Sequence, residues 1–109
     1  MWENLYEKYS GYKEIEFVCV NPNFPRATDL QDQINLYEYL KTLSDVITLR
    51  QDWGDGQISL TAIYKDKRLR PVILQAAKTF KVEVDLEQDV SDGYVNEVLR
   101  GERENQINN

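Results

Sequence analysis

The stretch VITLRQDWGDGQISLTAIY, residues 46–64, is the part of this chain that indicates its fold most clearly. Two runs that alternate polar and apolar side chains, as strands do, flank the segment DWGDG. Asp-Gly is among the dipeptides that most strongly favour a two-residue β-hairpin turn. We therefore expect an antiparallel hairpin with Asp55-Gly56 as its turn, Gly54 adding backbone freedom, and Trp53 either folded back onto the sheet or standing out as an anchor.

The same stretch resembles a metal-binding loop at first sight, because Asp52 and Asp55 alternate with glycines. Calcium, however, takes about six to eight oxygen ligands, usually within a D-x-D-x-D-G pattern. That pattern is absent, and no further acidic residue follows until Asp66. We therefore predict no metal site and no cofactor.

Further elements flank the hairpin on both sides. Before it, EIEFVCV (14–20) alternates as a strand, and a helical stripe covers about 28–44, with a capping-box signature that begins at Thr28. After it, Pro71 suits the first turn of a second helix, and KVEVDLE (81–87) alternates cleanly as a strand. The central part of the chain therefore has the order βαββαβ.

This order is typical of the ferredoxin-like, split βαβ arrangement. Right-handed crossovers would place both helices on one face of a four-stranded antiparallel sheet, with the first and last strands as neighbours. Short amphipathic helices are expected at 2–9 and from Ser91 onward. We predict a single two-layer α+β domain over residues 1–104, followed by a polar tail over 105–109.

The composition restricts the classes of function. A formal net charge of -6 disfavours direct binding to nucleic acid or to an anionic membrane. One cysteine, Cys19, excludes an internal disulfide, and the absence of a signal-peptide pattern favours the cytoplasm. The chain has no histidine, the commonest general base, and no Ser, Thr or Lys with a recognisable activating partner. We therefore expect a protein that is not an enzyme.

Acidic residues recur on the two strands that should be neighbours. Glu83, Asp85 and Glu87 alternate with apolar residues, so they should project from one face of the last strand, beside Glu14 and Glu16 of the first. Facing like charges destabilise a strand pair, which favours a surface that is presented to a partner. Two alternatives remain open: this face is only the wet side of the sheet, or the last helix covers part of it.

The function that these observations favour is that of a small, acidic, non-catalytic protein-binding module. Such a module would be an inhibitor or immunity-type protein that covers a basic surface of its target, including a nucleic-acid groove whose ligand its carboxylates would mimic. The predicted partner-binding residues are Glu14, Glu16, Trp53, Asp55, Glu83, Asp85 and Glu87.

Two other functions remain open from the sequence. The basic connector at 65–70 precedes a helix N-terminus, where anions bind, so the chain could sense an anionic metabolite. The residues predicted to hold that anion are Arg26, Lys67, Arg68 and Arg70. The second alternative is a structural subunit that forms a homodimer through its terminal helices.

Overall fold

The computed structural model describes residues 11–90. The strands are β1 (Lys13–Phe17), β2 (Val46–Gly54), β3 (Gln57–Tyr64) and β4 (Val84–Asp89), and the helices are α1 (Leu30–Lys41) and α2 (Leu69–Thr79). The predicted order βαββαβ is confirmed for these residues. The helices predicted at 2–9 and after Ser91, and the polar tail, lie outside the described residues.

The strands form one antiparallel sheet in the order β2-β3-β1-β4. The α+β class and the four-stranded antiparallel sheet are therefore confirmed, and β1 and β4 are neighbours as expected. Both helices pack on the face of the sheet that contains Ile15, Leu60 and Ala62, which we call the helix face. The opposite face, which contains Glu14 and Ile63, is the outer face.

The main core lies between the helix face and the two helices. Leu36 and Leu40 are one helical turn apart on α1, so they enter the core together, and both are fully buried. Ile73 of α2 meets Ile15 and Leu60 of the sheet in the same cluster. Each such side chain contributes about 1.5–3 kcal/mol by leaving water, which makes this layer the principal source of stability.

A second, smaller cluster lies on the outer face. Leu49, Ile63 and Val90 are buried there, and Tyr12 and Ile47 pack against them. The outer face is therefore not uniformly exposed: the part of it near these residues is closed to solvent. The last helix, which was one candidate to cover it, lies outside the described residues.

The start of α1 differs from the capping box predicted at Thr28. Asp29 is the N-cap, and its Oδ1 accepts hydrogen bonds from the backbone N–H groups of Gln31 at 3.0 Å and Asp32 at 3.2 Å. The buried Thr28 hydroxyl instead donates to the carbonyl of Val18, which ties the loop to the end of β1. The predicted cap is wrong because Asp is an equally good N-cap and a tertiary contact engages the threonine.

The hairpin turn is the predicted one. Asp55 and Gly56 have φ values of 55° and 81°, and a type I′ turn requires positive φ at both of these positions. Gly54 pairs with Gln57 across the turn, and the register shifts between Asp52 and Gly54, so Trp53 is the extra residue of a bulge.

Gly56 combines a positive φ with a close neighbour. A Cβ at position 56 would lie 3.0 Å from Cγ and Cδ of Pro22, whereas a Cβ at Gly54, where φ is 87°, would meet nothing within 4 Å. We expect Gly56→Ala to lower the free energy of unfolding by about 2–3 kcal/mol, and Gly54→Ala by about 1 kcal/mol, because only the first adds a clash to backbone strain. Urea denaturation measures both, and equal losses would show that the Pro22 contact is not a constraint.

Candidate functional site

A bulge in β4 determines which acidic side chains share a face. The pairing of β4 with β1 shifts register between Glu16 and Phe17, and Asp85 is the extra residue. A shift of one residue moves the side chains that follow to the other face of the sheet. Glu87 consequently pairs with the core residue Ile15 and lies on the helix face.

Glu87 is bound there by Arg70 of α2. The arginine Nε lies 2.8 Å from Oε1 and Nη2 lies 3.0 Å from Oε2, a two-point contact that lowers the pKa of Glu87. The expectation that Glu83, Asp85 and Glu87 project from one face is therefore wrong for Glu87. An uninterrupted alternation of polar and apolar residues contains no sign of the bulge, because the bulge arises from pairing with β1.

Glu14 lies on the outer face as predicted, but it is only 1% exposed. Its Oε1 accepts a hydrogen bond from the side-chain amide of Gln88, which is its cross-strand partner on β4. Its carboxylate is therefore not presented at the surface, contrary to the expectation from the sequence.

Glu16 and Asp85 lie close together on the outer face. Burial raises the pKa of the half-buried Glu16, and the neighbouring carboxylate of Asp85, which is exposed, raises it further. No lysine or arginine within residues 11–90 forms an ion pair with either. No cation among the described residues therefore forms an ion pair that would neutralise these two carboxylates.

Glu83 shares the outer face, because it stands between the core residues Val82 and Val84. Its carboxylate Oε2 lies 3.1 Å from Nη2 of Arg26, which belongs to the loop between β1 and α1. Glu83 is thus exposed but already has a cationic neighbour, unlike Asp85.

Trp53 lies back along the outer face at the hairpin end of the sheet. Its indole Nε1 donates to Oγ of Ser59 at 2.8 Å, and the side chain remains 47% exposed. Asp55 is exposed in the turn next to it. The alternatives for Trp53 are thereby resolved: it is held against the sheet and still offers a large aromatic surface.

Leu86 is one of the apolar residues that alternate with the acidic residues in the sequence of the last strand. The bulge moves it to the outer face opposite Glu16, where it is 37% exposed. We call Glu16, Trp53, Asp85 and Leu86 the outer patch. It combines two unbalanced carboxylates with an aromatic and an aliphatic side chain on one side of the sheet.

Three of the four basic residues predicted to hold an anion form ion pairs with carboxylates. Arg26 contacts Glu83, just before β4, and Arg70 contacts Glu87 within β4. Arg68 contacts Asp66 through Nε and Nη2, the latter at 2.8 Å from Oδ2, and holds the pKa of Asp66 down at about 2. Lys67 is exposed in the connector before α2. The described structure therefore does not bring these four cations into one site.

Two further properties concern the described residues alone. They contain no group of three or more acidic or thiol side chains placed to hold a metal ion. Neither α1 nor α2 has the length and apolar character needed to cross a membrane.

Comparison with models of protein families, with curated proteins and with solved structures finds no match to this chain.

The position of Glu16 predicts a dependence of stability on pH. Because its pKa is raised in the folded state, its ionisation opposes folding: the penalty is absent below the ordinary glutamate pKa of about 4.3 and develops as the pH rises through the folded-state pKa. We expect Glu16→Gln to increase the free energy of unfolding at pH 7, with a gain that disappears toward pH 4. Urea denaturation across that pH range measures it.

The matched control is Glu38→Gln, which removes the same charge from an exposed position on α1. Equal gains in the two variants would attribute the effect to net charge alone and not to the burial of Glu16 beside Asp85.

Proposed function

We propose that this chain is a small, non-catalytic protein-binding module that covers a cationic surface of another protein through its outer patch. Tryptophan offers a large, rigid contact area and is enriched among the residues that dominate binding energy. Trp53 is held in place by Ser59 and still exposes about half of its surface, so little side-chain freedom would be lost on binding. The carboxylates that share the outer face with it would direct the choice of partner toward basic surfaces.

The observation on which the proposal depends is the adjacency of Glu16 and Asp85 without a described cation. Neighbouring like charges on a partly buried surface are unfavourable in the isolated protein. A lysine or arginine from a partner would remove that repulsion and lower the pKa of Glu16. The arrangement therefore lowers the stability of the free protein and would raise its affinity for a cationic partner.

The proposed contact surface is smaller than the set of residues that the sequence indicated. Glu14 is buried, Glu87 lies on the helix face with Arg70, and Glu83 is next to Arg26. Asp55, at the exposed hairpin tip, extends the surface beside Trp53. An inhibitor or immunity-type role, with carboxylates in the place of nucleic-acid phosphates, is supported by the net charge of -6 and by these exposed acids.

We also propose that the arrangement belongs to the ferredoxin-like type. The element order βαββαβ supports this assignment, as does the position of β1 between β3 and β4. The packing of both helices on one face is a further support, because right-handed crossovers place them there.

Binding experiments test the proposed surface. Affinity capture with the full chain from its host, followed by mass spectrometry, would supply the partner for titrations at two salt concentrations. We expect Asp85→Lys to weaken binding at least about tenfold and to reduce its salt dependence, because it places a cation against a cationic partner. Trp53→Ala should weaken binding by about 2 kcal/mol.

The matched control is Glu38→Lys, a charge reversal on α1 at the other side of the sheet, which should leave the affinity within about twofold. An Asp85→Lys variant that binds as tightly as the wild type, with the same salt dependence, would contradict the proposal. So would a captured partner whose binding surface is acidic.

A further inference from the structure

We propose that two copies of this chain associate edge to edge through β2, as antiparallel neighbours in one continuous sheet. The two edges of the described sheet differ in how well they are protected against pairing with another strand. β4 has six residues, with a bulge at Asp85 and carboxylates at Glu87 and Asp89. β2 has nine residues and pairs with β3 without interruption from Val46 to Asp52. A long, regular edge strand is a template for the addition of another strand.

The hydrogen-bonding groups at the outer edge of β2 follow from the pairing inside the sheet. The N–H and C=O of Ile58 both bond to Val20, at 2.9 Å each, so they point away from β2. Ile58 pairs with Asp52, and hydrogen-bonded and non-bonded pairs alternate along an antiparallel ladder. The backbone groups of Asp52, Arg50 and Thr48 therefore point outward, where a second strand would bond to them.

The side chains of the edge are self-complementary. Two copies related by a two-fold axis place residue i opposite j and j opposite i. With Gln51 on the axis, Arg50 of each copy faces Asp52 of the other, and Leu49 faces Trp53. With Arg50 on the axis, two like charges would face each other, so charge favours the first of these two registers.

Arg50 is held in place by contacts with α1. Its Nε donates to Oε1 of the fully buried Gln33 at 3.0 Å, and the Gln33 Nε2 donates to the carbonyl of Ile58 at 2.9 Å. The guanidinium thus has a fixed position, and its two Nη groups remain for a carboxylate. Neither Arg50 nor the exposed Asp52 forms an ion pair with any residue between 11 and 90.

Charge reversal tests the pair directly. Sedimentation over a wide range of concentrations should show a dimer of the wild type. Arg50→Asp and Asp52→Arg should each raise the dimer dissociation constant at least about tenfold, because each replaces two ion pairs with two repulsive contacts. An equimolar mixture of the two variants, and the double variant Arg50→Asp/Asp52→Arg, should both restore association.

Three controls separate this interface from folding and from general charge effects. Lys67→Asp changes the net charge as much as Arg50→Asp, but in the connector before α2, and should leave the dimer intact. Asp52→Arg leaves the Arg50–Gln33 bond in place, so it tests the interface if Arg50→Asp is unstable. Urea denaturation of each variant monitors folding.

Cross-linking tests the register. In a non-hydrogen-bonded antiparallel pair, opposite Cα atoms are about 4.5 Å apart, within the span of a disulfide. With Cys19 replaced by serine, Gln51→Cys should therefore form a disulfide-linked dimer on mild oxidation. The matched variant Thr48→Cys should not, because its two copies would be about 20 Å apart.

The proposal is overturned if the wild type sediments as a monomer at all concentrations, or if the reversed variants associate as the wild type does. It is also overturned if the mixture and the double variant both remain monomeric. Association that persists in both reversed variants would assign the dimer to another surface, including the terminal segments. None of these results depends on a cationic partner, so the binding proposal above is tested separately.

Discussion

The turn at Asp55-Gly56 sets the register on which the rest of the sheet depends. Positive φ at both residues allows the tight turn that joins β2 to β3, and Pro22 of the loop before α1 approaches this tip so closely that it leaves no room for a Cβ at Gly56. Because side chains alternate between faces, a slip of one residue would move the core residue Leu60 to the outer face and the outer-face residue Ile63 to the helix face. The turn therefore decides which face of β3 meets the helices, and β1 inherits that orientation through its pairing with β3.

What the sequence could predict is what is decided locally. Turn chemistry and alternation specify the hairpin at residues 46–64, and helical periodicity with Pro71 specifies the two helices, so the element order was correct. The bulge at Asp85 depends on two strands together: it allows Val84 to pack on the core while Gln88 reaches Glu14. No pattern within residues 81–87 contains that information.

The charges illustrate the same limit. The formal charge of -6 indicates an acidic protein, yet cations from distant parts of the chain contact carboxylates in and just before β4. Arg26, 57 positions away, contacts Glu83, and Arg70, 17 positions away, contacts Glu87. Exposed ion pairs of this kind contribute at most about 1 kcal/mol each to stability, but they remove charge from the surface that a partner would meet. For the proposed recognition, the position of Glu16 and Asp85 on the outer face would therefore matter more than the number of acidic residues.

The proposed edge-to-edge pair also changes what the outer patch can do. A two-fold axis perpendicular to a continuous sheet leaves the outer faces of both copies on the same side. The two Trp53 side chains then lie near the axis, and the two Asp85 carboxylates lie seven strand spacings apart across the sheet, about 34 Å. A single patch makes one contact alone, whereas two patches on one surface would convert the second contact into an intramolecular event. A target with cationic sites at a matching separation would therefore be preferred over an isolated basic patch, and selectivity would come from the geometry of the pair as much as from the charge of either copy.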